Sequence, residues 1–152
     1  MRLPEPAVLQ QPLPDAALHA AWLALLDALA NAFQALCQPD CARHVGPVVT
    51  GATMAFGARV PGTSYQLDPV QASFCTGTLV AWPRRDHEPT APSSAPMSDT
   101  LGAVLTVGDF LARRALAEGR PPPSVGNLLA AALEAQARQH LVQAATGTGG
   151  PG

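Results

Sequence analysis

The chain has 152 residues, among them 29 alanines, 16 prolines, 13 glycines and nine arginines but no lysine, with a formal net charge of −2. This length suits one compact domain that buries roughly two thirds of its surface, and a hydrophobic content of 47% excludes a wholly disordered chain. The slightly negative charge argues against the broad basic field that nonspecific nucleic-acid binding requires.

Residues 1–14 carry prolines at 4, 6, 12 and 14. That spacing rules out a helix and favours an extended, polyproline-like arm. The start also lacks the basic region and unbroken apolar core of a signal peptide, so a reduced cytoplasmic setting is expected. Asp15 is a candidate N-cap for a helix over about 16–38, stopped by Pro39. At 100° per residue, Leu18, Trp22, Leu25, Leu29, Phe33 and Leu36 share a narrow sector, opposite Asp27, Asn31, Gln34 and Gln38. This face is expected to cover the chain's own sheet or to seat in a partner's groove. Ala16–Cys37 is also long enough to span a bilayer, but a mid-span Asp27 would cost about 2.5–3.5 kcal/mol. A soluble helix fits better.

From Val48 the apolar period becomes two: Val48, Ala52, Met54, Phe56, Ala58 and Val60 fall on even positions. The spacing predicts a half-buried strand with bends at Gly51 and Gly57. Pro61-Gly62 and Asp68-Pro69 read as turns. A second strand is predicted over about Ala72–Trp82, pairing antiparallel with the first across a loop that carries Tyr65. Residues 83–98 are a flexible linker by composition. Leu101, Ala103, Leu105 and Val107 alternate as a third strand would, with Thr106 and Asp109 matching a capping box for a helix over Phe110–Glu118 closed by Gly119. An equally fair reading starts this helix at Ser98 or Asp99. Pro121–Pro123 separate it from a last helix, capped by Ser124 and running to about Ala144, and residues 145–152 form a flexible tail.

The expected fold is therefore α+β: a small antiparallel sheet of two or three strands packed by about three helices. Residues 15–144 form the single small domain, and extended Pro/Gly-rich arms flank it.

One group of residues has metal-ligand chemistry. Cys37, Cys41 and His44 near a helix end, with the distant Cys75, match the donor set of a Cys3His zinc site. A second paired knuckle is missing, and a lone cysteine in a strand is commonly a small buried hydrophobe. No bound metal or cofactor is expected, although these residues are the ones that would hold a metal. A Cys37–Cys41 disulfide would need an oxidising compartment. Cys41 and His44 lack a nucleophile motif, and Asp86, His87 and Glu88 fall in the Pro/Ser linker. Val49–Ala52 lacks the Lys-Ser/Thr of a phosphate loop. Arg84 and Arg85, beside Trp82, are neutralised by Asp86 and Glu88.

The missing lysine most simply reflects codon bias in a GC-rich genome, since the arginines are scattered rather than clustered. With no catalytic constellation, the sequence points to a non-enzymatic assembly or interaction subunit whose partners are other protein subunits, self or hetero. A structural component of a virion, phage tail or injection machine fits that description. The alternative is a small zinc- or ligand-binding protein.

Overall fold

The computed structural model describes residues 14–82 and 98–147. The predicted arm at 1–14, apart from Pro14, the linker before Ser98 and the tail after Gly147 lie outside those residues, as do Arg84, Arg85, Asp86, His87 and Glu88. In chain order the elements are α1 (Asp15–Leu36), α2 (Pro39–Ala42), β1 (Ala58–Arg59), β2 (Gln66–Leu67), α3 (Pro69–Ala81), α4 (Ser98–Ala117) and α5 (Val125–Gly147). The described chain is mostly helical with one two-stranded antiparallel sheet, compatible with α+β.

Helix α1 starts after Pro14, whose carbonyl accepts from the Ala17 and Leu18 amides at 2.9 and 3.1 Å. Asp15 is the first helical residue rather than the cap, and its charge there complements the helix dipole. The buried stripe is Ala21, Leu25, Ala28, Ala32 and Ala35. It is rotated from the leucine-rich sector expected from hydropathy. Four of its five members are alanines, whose methyl groups let α1 approach its neighbours closely. The helix ends at Leu36, and Pro39 opens α2.

The long first strand predicted over Val48–Val60 does not form. Val48 and Val49 are 84% and 68% exposed. The Ala52 amide turns back to Val49 O and the Gly57 amide to Met54 O, each at 2.9 Å, while Phe56 takes a left-handed φ of 57°. These turns use the backbone groups a ladder would need. Only Ala58 and Arg59 pair, with Leu67 and Gln66 respectively. Pro61-Gly62 turns the hairpin through the Thr63 amide bonded to Val60 O at 3.1 Å.

The second predicted strand, Ala72–Trp82, is helix α3. Asp68 Oδ1 accepts from the Val70 and Gln71 amides at 3.0 and 3.1 Å, with Pro69 at the first helical position. Asp68-Pro69 is thus a helix start rather than a turn. The buried residues Ala72, Cys75, Thr76, Leu79 and Val80 repeat at helical spacing.

The third strand considered over Leu101–Val107 is also helical, within α4, so the start at Ser98 holds. Buried Leu101 and half-buried Leu105 share a face, whereas Ala103 and Val107 are exposed. Thr106 sits inside the helix and bonds Gly102 O at 2.8 Å, so the Thr106–Asp109 capping box does not exist. At the C-terminus, Gly119 adopts φ 68°. The Arg120 amide reaches Ala115 O at 2.8 Å and the Gly119 amide Leu116 O at 3.1 Å, closing a Schellman motif. Ser124 caps α5: its Oγ accepts from the Asn127 amide at 3.2 Å while Asn127 Oδ1 accepts from the Ser124 amide at 2.9 Å.

The core lies where α1, α3 and α4 meet, with α5 closing one side through Leu129 and Ala132. The α3–α4 crossing is close: a Cβ built on Gly102 would stand 2.8 Å from the Gly77 Cα.

Candidate functional site

The β1–β2 hairpin leans over α4, and together with α1, α3 and the start of α5 it borders a cleft of ≈ 500 Å³. Leu29, Val60, Leu105, Ala112 and Leu128 give it apolar walls. Arg59 and Asp109 supply its charge.

Arg59 falls on the exposed side of β1, and Asp109 falls where α4 passes beneath that strand. The Asp109 carboxylate accepts from Arg59 Nε at 3.1 and 3.3 Å, from Nη2 at 2.5 Å and from the Arg59 backbone amide at 2.9 Å. This is a forked, charge-assisted pair with one main-chain bond added. The hydrogen bonds that Arg59 donates to Asp109, followed by the negative charge of Asp109, raise the Arg59 pKa above the ordinary arginine value against a small opposing effect of burial. One turn along α4, Arg113 Nη2 donates to Gln66 Oε1 at 2.6 Å, and Gln66 is the cross-strand partner of Arg59. Asp109 and Arg113 therefore grip both strands from a single helix face. Arg113 Nε is buried with no hydrogen-bond partner among the described residues.

The cleft hydroxyls are engaged internally. Thr106 and Thr76 oxygens lie 3.3 Å apart, and Thr106 also bonds Gly102 O. Thr63 donates to Val60 O at 2.9 Å and accepts from the Tyr65 amide at 3.1 Å. Asp109 is the one carboxylate among the described lining residues, and its oxygens are occupied by Arg59. The arrangement can hold a shape, with the charges of Arg59 and Asp109 offsetting each other. Among the described lining residues there is no free base.

The cysteine group is dispersed. Cys37 is exposed at the end of α1, with its thiol donating to Phe33 O at 3.6 Å. Cys41 is buried in α2. His44 is exposed, its ring 5.6 Å from that of Trp82, whose Nε1 donates to Gln38 Oε1 at 2.9 Å. Cys75 is buried in α3, where its sulfur meets the Gly46 amide at 3.4 Å while Gln71 Nε2 donates to Gly46 O at 2.9 Å. Cys75 thus fastens α3 to the loop after α2. None of the three cysteines is in a disulfide, and no three His, Cys, Asp or Glu side chains gather among the described residues.

Of the interface candidates, Leu25 is buried and Leu18, Leu29 and Leu36 are half-buried, while Trp22 and Phe33 are 42% and 52% exposed. Sequence reasoning missed Asp109, Arg113 and Gln66 as a group with Arg59. Partners about 50 residues apart leave no local spacing signal, and Asp109 had a competing local role as a capping residue.

The MmgE/PrpD N-terminal domain family matches residues 8–150 of the chain. The chain belongs to that family. Over 118 residues, 78% of its length, it is 40% identical to a 2-methylcitrate dehydratase of Cupriavidus necator, covering 24% of that protein. It is 38% identical over the same share of its length to a 2-methylcitrate dehydratase of Escherichia coli K12, again covering 24%. A mitochondrial 2-methylcitrate dehydratase of Yarrowia lipolytica is 40% identical over 101 residues, covering 66% of this chain and 19% of that one. The chain thus spans about a quarter of the length of these relatives. Their similarity overturns the expectation of a non-enzymatic structural or virion subunit: the family is one of dehydratase enzymes. The inference from absent motifs failed because a stretch matching about a quarter of its relatives' length need not contain the groups that perform their reaction.

Proposed function

We propose that this chain serves as the N-terminal helical part of a dehydratase acting on 2-methylcitrate or a closely related alkyl-bearing hydroxy tricarboxylate. The observation that carries this reading is the 40% identity to the Cupriavidus necator 2-methylcitrate dehydratase over 78% of the chain.

Dehydration of such an acid breaks a C–H bond and the neighbouring C–OH bond, forms C=C and releases water. It needs a group to take the proton and another to protonate the departing hydroxyl. The cleft offers neither among its described residues, because Asp109 is held by Arg59 and the threonine hydroxyls are bonded internally. In this reading the described residues act as framework, with the Arg59–Asp109 ion pair tying the hairpin to α4.

The test is a graft. In the Cupriavidus necator enzyme, the matched 118 residues are replaced by those of this chain, and formation of the unsaturated product from 2-methylcitrate is followed by ultraviolet absorbance. Product formation well above that of a chimera carrying a scrambled segment is expected. A soluble, cooperatively melting chimera with no turnover overturns the proposal.

A further inference from the structure

We propose that the cleft between the hairpin and the helices binds an uncharged aliphatic molecule of medium chain length, and that the Arg59–Asp109 pair makes it reject carboxylates. The dehydratase reading is not needed for this assignment. The cleft measures ≈ 500 Å³, within the roughly 300–1,000 Å³ of small-molecule sites. Leu29, Val60, Leu105, Ala112 and Leu128 furnish its walls. Hydrophobic attraction ordinarily draws such walls together until little space remains between them. Here two features hold them apart.

The first is the polar clamp. The Arg59 amide donates to Asp109 Oδ2 at 2.9 Å, so the hairpin backbone stands one carboxylate group off α4. Arg113 Nη2 braces the second strand through Gln66 Oε1 at 2.6 Å. The second feature is Gly108. A Cβ there would overlap Leu128 Cδ2 and stand 3.0 Å from Cδ1, so any larger residue would drive Leu128 off α4. Glycine lets the Leu128 side chain rest against the helix, where it forms wall rather than plug.

The chemistry of the lining selects the occupant. Its polar side chains are already engaged: Thr63 donates to Val60 O, Thr106 bonds Gly102 O beside Thr76, and Arg59 and Asp109 hold each other. A peptide would bury amide groups without partners against these walls. A carboxylate would meet Asp109 beside Arg59, and the repulsion of one would cancel the attraction of the other. An alkyl chain needs only the apolar walls, and an alcohol head can stay in water at the mouth.

The test titrates the 152-residue chain, methyl-labelled at leucine and valine, with octan-1-ol and with sodium octanoate, followed by NMR. Octan-1-ol should shift the Leu29, Val60, Leu105 and Leu128 methyls saturably while the exposed Leu23 and Leu116 stay still. Octanoate should bind at least about tenfold more weakly. Asp109→Asn keeps an acceptor for the Arg59 amide but removes the repulsion, and should shrink that difference to about threefold or less. Ala112→Phe fills the cleft and should abolish the octan-1-ol shifts. Gly108→Ala displaces Leu128 and should weaken binding several-fold; it serves where Ala112→Phe does not fold. Shifts that never saturate, or that spread equally to Leu23 and Leu116, overturn the proposal in favour of surface partitioning. Equal affinity for octanoate and octan-1-ol overturns the selectivity assigned to the pair. Binding untouched by both Ala112→Phe and Gly108→Ala puts the alcohol elsewhere and overturns the site. So does movement of the same methyls with protein concentration before any alcohol is added, which gives the cleft to a second copy.

Discussion

Two joints hold α4 in place, and they work by different physics. On one side the β hairpin is tied to α4 by polar groups: Arg59 to Asp109 and Gln66 to Arg113. On the other, α3 and α4 cross with almost no side chain between them, Gly102 lying directly against the Gly77 backbone. The polar joint is partly open to water, with the Arg59 side chain 63% exposed. The apolar joint is closed, and Leu79, Thr76, Leu101 and Thr106 around it are almost fully buried. Water can substitute for a lost hydrogen bond at the first joint. Nothing can substitute for lost contact distance at the second, so single-atom changes should matter most there.

The largest expected effect follows directly. Gly102→Ala places a Cβ 2.8 Å from the Gly77 Cα and 2.9 Å from its nitrogen, backbone atoms that cannot step aside individually. The helices must separate, at a cost of roughly 2–3 kcal/mol. Gly77→Ala is the control: a Cβ there meets nothing within 4 Å. It should be neutral or stabilise by about 0.5–1 kcal/mol through helix propensity. Urea unfolding of both variants reads the asymmetry. Equal losses would mean that the crossing is looser than the structure indicates.

Asp109→Ala comes next. It removes three side-chain contacts and one backbone bond from Arg59. Charge-assisted bonds contribute about 1.5–3 kcal/mol where buried, but the exposed arginine lowers this to about 1–2 kcal/mol after screening. The loss should shrink in 1 M salt, whereas that of Gly102→Ala should not. A salt-independent loss at Asp109 would erase the distinction between the joints. Ser124→Ala should cost about 1 kcal/mol, because it leaves the Asn127 amide at the start of α5 without its side-chain acceptor. Hydrogen exchange should report fraying confined to the first turn of α5.

The same contrast explains what the sequence disclosed. Helix α1 was legible because its apolar period is long and ends at proline. Which way it faces was not: Leu18, Trp22 and Phe33 outweigh alanine on any hydropathy scale, yet Ala21, Ala28, Ala32 and Ala35 occupy the interface. Close packing rewards small size, which a hydropathy sum discounts. Helix α3 was misread because Thr, Val, Phe and Cys suggest a strand, although Asp68-Pro69 carried the start signal and positions 72, 75, 76, 79 and 80 the helical period. The Gly119 and Ser124 caps were legible because capping is local. The clamp of Arg59, Asp109, Arg113 and Gln66 was not, since its parts meet only after the helices have packed.

The smallest effect lies at the exposed end of α4, which is a polar contact without a joint. Glu118 accepts from Arg120 Nε at 2.9 Å and from Arg114 Nη2 at 3.5 Å. The hydrogen bond from Arg120, then its charge, with a lesser contribution from Arg114, holds the Glu118 carboxyl below the ordinary glutamate value. A depressed carboxylate pKa stabilises the fold above the unfolded value, and that contribution is lost as pH falls through the folded one. Carbon-detected NMR titration should therefore find Glu118 protonating at lower pH than an ordinary glutamate. Arg120→Ala should return it most of the way, and Arg114→Ala should move it less. The group lies at the surface, so neither variant should measurably shift the thermal midpoint at neutral pH. Were Arg120→Ala to destabilise the protein as much as Asp109→Ala, the position of a charge between two packed elements would carry no weight. Clamp and surface pair would then be energetically alike.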